Sequence, residues 1–160
     1  MLTLTRKTEY GLIALTHMAL GQGGVSSARE IAGRYGVPLA LLMNVLKQLA
    51  QSGLIHSARG PTGGYSLTLP PEKISLLDIF RAIEGPVHLT YCSGLKDSDY
   101  GSNGEKKKRC QIMGNCPVGA SIRKVDGRLT EFLEKITLAD IIECRTPVEV
   151  STEELVENKV

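Results

Sequence analysis

The sequence of 160 residues contains no tryptophan, and its five tyrosines and two phenylalanines make up only 4% of the chain. Proteins that bind single-stranded nucleic acid commonly stack bases on aromatic side chains, so this class is disfavoured. Long apolar runs are also missing, and the N-terminus has neither the apolar segment nor the small-residue cleavage site of a secretion signal. We therefore expect a cytoplasmic protein whose four cysteines serve metal or redox chemistry rather than structural disulfides.

Positive charge is concentrated at the start of the chain. The overall net charge is only +2, but residues 1–70 hold six basic and two acidic residues, a net charge of +4. Residues 71–160 are therefore net −2, although they include the basic run Lys106–Arg109. Residues 144–160 are rich in glutamate and lack hydrophobic periodicity, which predicts a flexible acidic tail. The first 70 residues are the part of the chain best suited to contact DNA.

Hydrophobic spacing and capping residues predict three helices near the N-terminus. The first covers about residues 5–21. The second begins at a capping box of Ser27 and Glu30, in which the side chains satisfy free backbone N–H groups, and it stops at Gly36. The third begins at Pro38, whose missing N–H is tolerated in a first helical turn. The apolar stripe of this third helix consists of Leu42, Val45, Leu46 and Leu49.

Two short strands follow, at about 54–58 and 64–69, and a glycine-rich loop over 59–64 joins them. This order of elements predicts a winged helix-turn-helix domain over 1–70, in which the third helix enters the major groove and the loop forms a wing. Taken singly, polar residues on such a helix are most often only solvated, whereas the ordered combination with local positive charge favours DNA binding. The expected DNA-binding residues are Ser27, Arg29, Pro38, Ala40, Met43, Asn44, Lys47, Gln48, Arg59, Gly60, Thr62, Gly63, Gly64 and Tyr65.

A long apolar stripe characterises the second half of the chain. Ser75 and Asp78 form another capping signature within a connecting helical region, 71–91. Beyond a loop at 92–116, apolar residues recur every three or four positions within 117–143. Paired helices bury such a seam between two subunits, which predicts a homodimer; an ordinary core stripe is the alternative. The expected interface residues are Val118, Ile122, Val125, Leu129, Phe132, Leu133 and Ile136. The predicted fold is therefore mainly α-helical with a small β-wing, a winged helix-turn-helix domain followed by a long dimerisation helix.

Three of the four cysteines bracket a polar, lysine-rich loop, Ser93–Arg109. Cys92, Cys110 and Cys116 are spaced C-x17-C-x5-C, and Cys144 lies apart from them. The spacing does not fit a zinc knuckle, whereas thiolates are the ligands of iron–sulfur clusters. Without a cluster, Cys110 and Cys116 could form a redox-sensitive disulfide, which is the alternative. No cysteine lies in a recognisable nucleophile motif, so we do not expect an enzyme.

Three segments resemble the Rrf2 family of bacterial transcription regulators: Lys7–Leu12, the wing Arg59–Leu67 and Ile136–Ile141. The R-G-x-x-G-G-Y wing is the most specific of them. The resemblance extends over about residues 1–143 and is strongest to the branch that is regulated by an iron–sulfur cluster. It implies a dimeric winged-helix repressor or activator that binds a pseudo-palindromic operator in double-stranded DNA. A cluster-free regulator that responds to a small ligand or to thiol oxidation is the alternative within the same family.

The resemblance also implies a set of metal ligands. Cluster-binding members of the family place three cysteines between the wing-side helix and the long helix, which implies that Cys92, Cys110 and Cys116 hold an iron–sulfur cluster. A 2Fe–2S cluster is favoured, with a 4Fe–4S cluster as the alternative. The gap of 17 residues between the first two cysteines is longer than is usual in the family. In the iron–sulfur branch a histidine follows the third cysteine by three residues, and here that position is Gly119.

The fourth ligand therefore stays open in the sequence. Members of the nitric-oxide-sensing branch use an N-terminal carboxylate from the partner subunit, and Glu9 occupies the matching position before Tyr10. The other candidates are His17, His88, a buffer thiol and water. Glu9 also fits an ordinary structural role, because a carboxylate is favourable in the first turn of a helix.

Overall fold

The computed structural model describes residues 5–21, 24–60, 63–90 and 115–143, which contain six α-helices and one two-stranded antiparallel sheet. In chain order the elements are α1 (Arg6–Leu20), α2 (Ala28–Tyr35), α3 (Leu39–Gln51), β1 (Ile55–Ala58), β2 (Gly64–Leu67), a 3-10 turn (Pro71–Lys73), α4 (Leu76–Glu84), α5 (Gly119–Lys135) and α6 (Leu138–Ile142). The predicted fold class, mainly α-helical with a small β-wing, is confirmed.

Short-range hydrogen bonds set the ends of the helices. At the start of α2, the Glu30 N–H donates to Ser27 Oγ at 3.1 Å and the Ser27 N–H donates to Glu30 Oε2 at 3.4 Å, which confirms the capping box. This helix ends at Gly36, whose left-handed φ of 65° is accessible to glycine at little cost. The predicted box at Ser75 and Asp78 also begins α4 as expected, with the Asp78 N–H donating to Ser75 Oγ at 3.1 Å.

Two boundaries differ from the sequence-based prediction. Pro38 precedes the first turn of α3 instead of lying within it, so the helix begins at Leu39. The second strand is shorter than predicted. The backbone bond beyond it runs from the Thr68 N–H to the Leu54 carbonyl at 3.1 Å, and Pro70 has no N–H group to extend the ladder.

The hydrophobic core lies where α1, α3 and α4 pack against one another. The predicted stripe of α3 is buried here, and each fully buried leucine contributes about 1.5–3 kcal/mol to folding relative to an exposed one. Gly11 allows α1 to approach α4 closely, because a Cβ at this position would overlap the Cδ1 atom of Ile83. The core residues buried to 1% exposure or less are Ala14, Leu15, Met18, Ile31, Leu42, Val45, Leu46, Leu49, Ile74, Leu77, Ile79 and Leu138.

Backbone hydrogen bonds fix the end of α5 to the start of α4. The Leu76 N–H donates to the Ile136 carbonyl, and the Leu138 N–H donates to the Ile74 carbonyl, both at 2.8 Å. These two bonds flank a short antiparallel bridge, and the buried Leu138 side chain completes the junction. The long helix is therefore joined directly to α4, which packs against α3.

A side-chain cluster joins the start of α1 to the end of α4. The Thr8 hydroxyl is buried and donates to Glu84 Oε1 at 2.6 Å, and the Thr5 hydroxyl donates to the same oxygen. The hydrogen bonds from Thr5 and Thr8 lower the pKa of the Glu84 carboxyl below its ordinary value. The charged form of Glu84 is thus favoured in the folded chain and adds stability to this helix contact.

We expect Glu84→Gln to destabilise the fold at neutral pH by about 1 kcal/mol or less, since the carboxylate is largely exposed to solvent. Because the folded pKa is depressed, this stabilisation is present above the pKa of the unfolded chain and is lost as the pH falls through the folded pKa. Urea unfolding of both proteins should therefore show a gap at neutral pH that closes in acid. Glu134→Gln on the exposed side of α5 is the matched control, and an equal effect of both changes would contradict the assignment.

Candidate nucleic-acid interface and metal site

The outward face of α3 carries five of the fourteen residues predicted to contact DNA. The buried stripe turns one side of the helix toward the core and leaves the opposite side in solvent. Ala40, Asn44 and Lys47 are exposed on that side, at positions i, i+4 and i+7. Met43 is exposed and Gln48 half-buried at its two margins. The predicted residues of α3 therefore form one continuous surface.

The hairpin forms a wing beside this helix. β1 and β2 pair antiparallel from Ile55 opposite Leu67 to Ala58 opposite Gly64. Arg59 follows β1 and is exposed at the base of the loop. Gly63 follows the loop, and a Cβ there would overlap the carbonyl oxygen of Ala58. Of the predicted wing residues, Thr62 lies outside the described part of the chain.

The wing is anchored next to the start of α2. Ser26 and Tyr65 exchange both backbone hydrogen bonds, at 2.9 and 2.8 Å. A Cβ on Gly64 would come within 2.5 Å of the Ser26 carbonyl oxygen, so glycine is needed for this close approach. Ser27 and Arg29 follow directly, with Arg29 exposed. The predicted DNA-binding residues therefore lie on three neighbouring elements. The wing is hydrogen-bonded to the residue before α2, and both α2 and the wing strand β1 pack against α3.

Cys116 is the one predicted thiol ligand within the described residues. It carries a free, half-buried thiol and lies three residues before the first residue of α5. Cys92 and Cys110, the predicted loop Ser93–Arg109 and the predicted tail 144–160 lie outside the described ranges. Within those ranges, no group of three or more His, Cys, Asp or Glu side chains is arranged to hold a metal ion.

The three described candidates for a fourth ligand all have partners. Glu9 Oε2 accepts from Arg6 at 2.8 Å in the first turn of α1, and its side chain is partly exposed. His17 is buried, with Nδ1 at 3.2 Å from the Tyr35 hydroxyl and Nε2 at 3.4 Å from Glu30 Oε1. Both ring nitrogens of His17 are therefore engaged, and this histidine serves the contact between α1 and α2.

His88 belongs to a cluster that sequence reasoning missed. Its Nδ1 lies 3.2 Å from Asp126 Oδ2, and Asp126 Oδ1 accepts the backbone N–H of Leu89 at 2.6 Å. Asp126 is buried on the side of α5 that faces its own chain. The signal in the sequence is that Asp126 lies seven positions before Leu133, on the same side of an amphipathic helix, where a carboxylate needs a hydrogen-bonding partner. The cluster holds the segment just before Cys92 against the helix that follows Cys116.

Three of the seven residues in the predicted interface stripe are exposed to solvent. The residues Val118, Val125 and Phe132 recur every seven positions and are between 39% and 57% exposed. Half-buried residues lie between and beyond them: Ile122, Leu129 and Ile136. Apolar side chains on this heptad spacing form a seam that a second helix can cover.

Leu133 must be removed from the interface set. Its side chain is 8% exposed within its own chain, because it lies with Asp126, seven positions earlier, on the side of α5 that packs inward. Alternating steps of four and three residues from Val118 lead to Phe132 and then to Ile136. Leu133 does not lie on this series. This residue stabilises the attachment of α5 to the rest of the subunit.

Comparison with known proteins identifies the family to which this chain belongs. Residues 4–144 match the model of the Rrf2 family, which is described as "Iron-dependent Transcriptional regulator". The protein belongs to the Rrf2 family. It is 31% identical over 149 residues to the HTH-type transcriptional regulator IscR of Escherichia coli (strain K12), an alignment that covers 92% of this chain and 85% of the relative.

Two solved structures of regulators share the fold. The structure of T. potens IscR superimposes with a TM-score of 0.60 at 30% identity and covers 89% of this chain and 88% of its own. The structure of CymR, the global cysteine regulator of B. subtilis, gives a TM-score of 0.63 at 25% identity and covers 90% of this chain and 98% of its own.

Membership of the Rrf2 family makes this protein a DNA-binding transcription regulator and not an enzyme. The winged helix-turn-helix assignment made from the order of elements in the sequence is therefore confirmed. Across the helices of the described residues, none combines the length and the hydrophobicity needed to cross a membrane. The exposed face of α3 and the wing stay the predicted DNA-binding surfaces.

Proposed function

We propose that the protein is a homodimeric regulator whose affinity for a pseudo-palindromic operator is controlled by an iron–sulfur cluster. The observation that carries this proposal is the position of Cys116, half-buried at the foot of α5, the helix with the exposed apolar seam. One helix thereby joins the predicted cluster loop, 92–116, to the predicted dimerisation surface within 117–143. A regulator that binds an operator would work in the cytoplasm.

The donor set fits a cluster that is ligated by thiolates. Cys92, Cys110 and Cys116 would supply three sulfur ligands, and Glu9 of the partner subunit is the proposed fourth. Cys116 lies beside Gly119, the first residue of α5, and its thiol is half-buried there. When bound, a 2Fe–2S cluster would supply chemistry that is sensitive to redox state, oxygen or nitric oxide.

Rigid contacts connect this position to the DNA-reading surface. The far end of α5 is bonded to the start of α4 through Leu76 and Ile136, and α4 packs directly against α3. A change in the loop that shifts α5 would therefore move α4 and α3 with it. Such a shift regulates binding only if it changes operator affinity between the two states, which is the thermodynamic meaning of allostery.

The exposed seam of α5 is proposed to hold two subunits together. A two-fold dimer places its two recognition helices about 34–36 Å apart, one turn of DNA, so that each reads one half-site of the operator. In this arrangement a small rotation of α5 at the seam changes the distance between the two copies of α3.

The cluster can be tested directly on protein that is purified without oxygen. We expect iron and acid-labile sulfide at a fixed ratio to protein, together with visible charge-transfer absorption that disappears on exposure to air or nitric oxide. Protein that is free of iron after strict anaerobic handling, and that takes up none on reconstitution, would overturn the proposal.

The structural similarity to the B. subtilis cysteine regulator favours a second candidate, a regulator that responds to a small ligand or to thiol oxidation. A disulfide between Cys110 and Cys116 would be the switch in that case. Colourless protein whose operator binding changes on mild oxidation, and recovers on reduction, would support this candidate over the first.

Arg59→Ala is expected to weaken operator binding by roughly 1–3 kcal/mol, because the exposed guanidinium at the base of the wing is placed to contact a phosphate or a narrow minor groove. The slope of affinity against salt should also fall. Titration of a fluorescent operator at several salt concentrations measures both effects. Lys135→Ala, at the end of α5, removes the same charge and should leave affinity unchanged; unchanged affinity in Arg59→Ala would remove the wing from the interface.

A further inference from the structure

The first turn and a half of α3 presents apolar side chains to solvent. Leu39, Leu41 and Met43 are between 39% and 46% exposed, and Ala40 between them is exposed as well. None of these four side chains can donate or accept a conventional hydrogen bond. The one charged side chain of α3, Lys47, lies in its second half.

These side chains belong to the same surface as the polar residues of α3. Ala40 lies one turn before Asn44 on the face opposite the core, and Leu41 and Met43 lie on the two sides of it. The exposed apolar residues are therefore continuous with the proposed DNA contacts of α3. We expect this surface to bind in the major groove of DNA.

We infer that the start of α3 reads thymine methyl groups in the major groove, an inference that rests on the proposed binding of a DNA operator. Residues at the start of a recognition helix contact the edges of the bases. In the major groove only thymine presents a methyl group, which lies beside its O4 acceptor, whereas the polar groups of the other three bases have no methyl group beside them. An apolar side chain against such a polar group would leave it without a partner, at a cost in free energy. Contact with a methyl group instead removes apolar surface from water on both sides.

The placement also predicts an order of bases within each half-site. Leu39 and Met43 are separated by four helical steps, or about 6 Å along the helix, which corresponds to about two base pairs. We assign thymine to these positions. The polar residues that follow, Asn44, Lys47 and Gln48, supply amide and ammonium groups that suit adenine and guanine edges. Each half-site would thus begin with one or two thymines and continue with bases read by hydrogen bonds.

The test replaces thymine by uracil, which lacks only the methyl group. The operator is first selected from random duplexes with the full-length protein, and uracil is then introduced at single positions of each half-site. We expect affinity to fall about 3- to 5-fold at one or two positions per half-site, which is the effect of losing one buried methyl group. Binding is measured at one fixed salt concentration, because affinity for DNA depends strongly on salt.

Protein variants show whether α3 reads those methyl groups. Met43→Ala and Leu41→Ala should bind the thymine operator more weakly and should lose the discrimination between thymine and uracil at their own positions. Leu20→Ala is the matched control, because Leu20 is an exposed leucine at the end of α1. This variant should still discriminate between thymine and uracil. Circular dichroism and thermal melting establish that the variants fold.

The outcomes separate this inference from the function on which it rests. Sequence-specific binding that is equal for thymine and uracil at every position would overturn the inference and leave the regulator intact. Discrimination that persists unchanged in both variants would also overturn it, since other residues would then read the methyl groups. Failure to select any specific duplex would overturn the proposed operator binding itself.

Discussion

Replacing Val125 by glutamate is expected to convert the proposed dimer into folded monomers and to weaken operator binding roughly 100-fold or more. Val125 is exposed at the centre of the α5 seam, so the change adds no strain within the subunit. In a dimer the new carboxylate would be buried against apolar side chains without a partner, which costs several kcal/mol. A monomer binds only one half-site, so it loses the extra affinity that two linked DNA-binding domains gain by binding both half-sites at once. Sedimentation velocity and operator titration measure the two effects.

Lys124→Glu is the matched control for this prediction. Lys124 is exposed on the neighbouring position of α5, on a side that belongs neither to the seam nor to the core. This variant also introduces a glutamate and should stay dimeric. A dimer that persists unchanged in Val125→Glu would show that the subunits associate elsewhere.

Cys92→Ser is expected to yield protein that does not hold a cluster under conditions in which the wild type does. A serine hydroxyl is a poor replacement for a thiolate ligand, and one lost sulfur leaves two cysteines to hold the iron. Iron content should fall from about two atoms per chain, the value for a 2Fe–2S cluster, to background. Iron and sulfide analysis, together with visible absorption, measures the change on anaerobic protein.

Cys144→Ser supplies the comparison, because Cys144 lies beyond the predicted ligand set. It removes one thiol from the chain and should retain the full spectrum. Full cluster absorption in Cys92→Ser would reassign the ligands. A comparable loss in Cys144→Ser would show that this fourth thiol also takes part.

Local signals in the sequence predicted much of the DNA-binding half. The boxes at Ser27 and Ser75 are each formed by residues three positions apart, so the chain specifies them without tertiary contacts. The stripe of α3 has a 3.6-residue period that matches the buried side of the helix. The glycines of the wing mark a tight hairpin, and Gly63 and Gly64 indeed lie where a Cβ would overlap backbone atoms.

Contacts between residues far apart in the chain could not be predicted from local sequence patterns. Thr8 and Glu84 are 76 positions apart, and no local pattern links them. The bond between Asp126 and the Leu89 backbone likewise depends on how α5 packs. Periodicity also does not separate the seam of α5 from its inward side, so it places Leu133 in the seam although this residue faces its own subunit. The exposure of Leu39 and Leu41 has no signal in the sequence, because apolar residues near a buried stripe suggest core.

The state of the cluster is proposed to set the affinity for the operator, and one titration compares the two states. A single anaerobic preparation is divided, the cluster is removed from one half, and both halves are titrated against the selected operator at the same salt concentration. We expect dissociation constants that differ at least about tenfold, a coupling free energy of about 1.4 kcal/mol. Identical dissociation constants for the two forms, with both dimeric and folded, would contradict it.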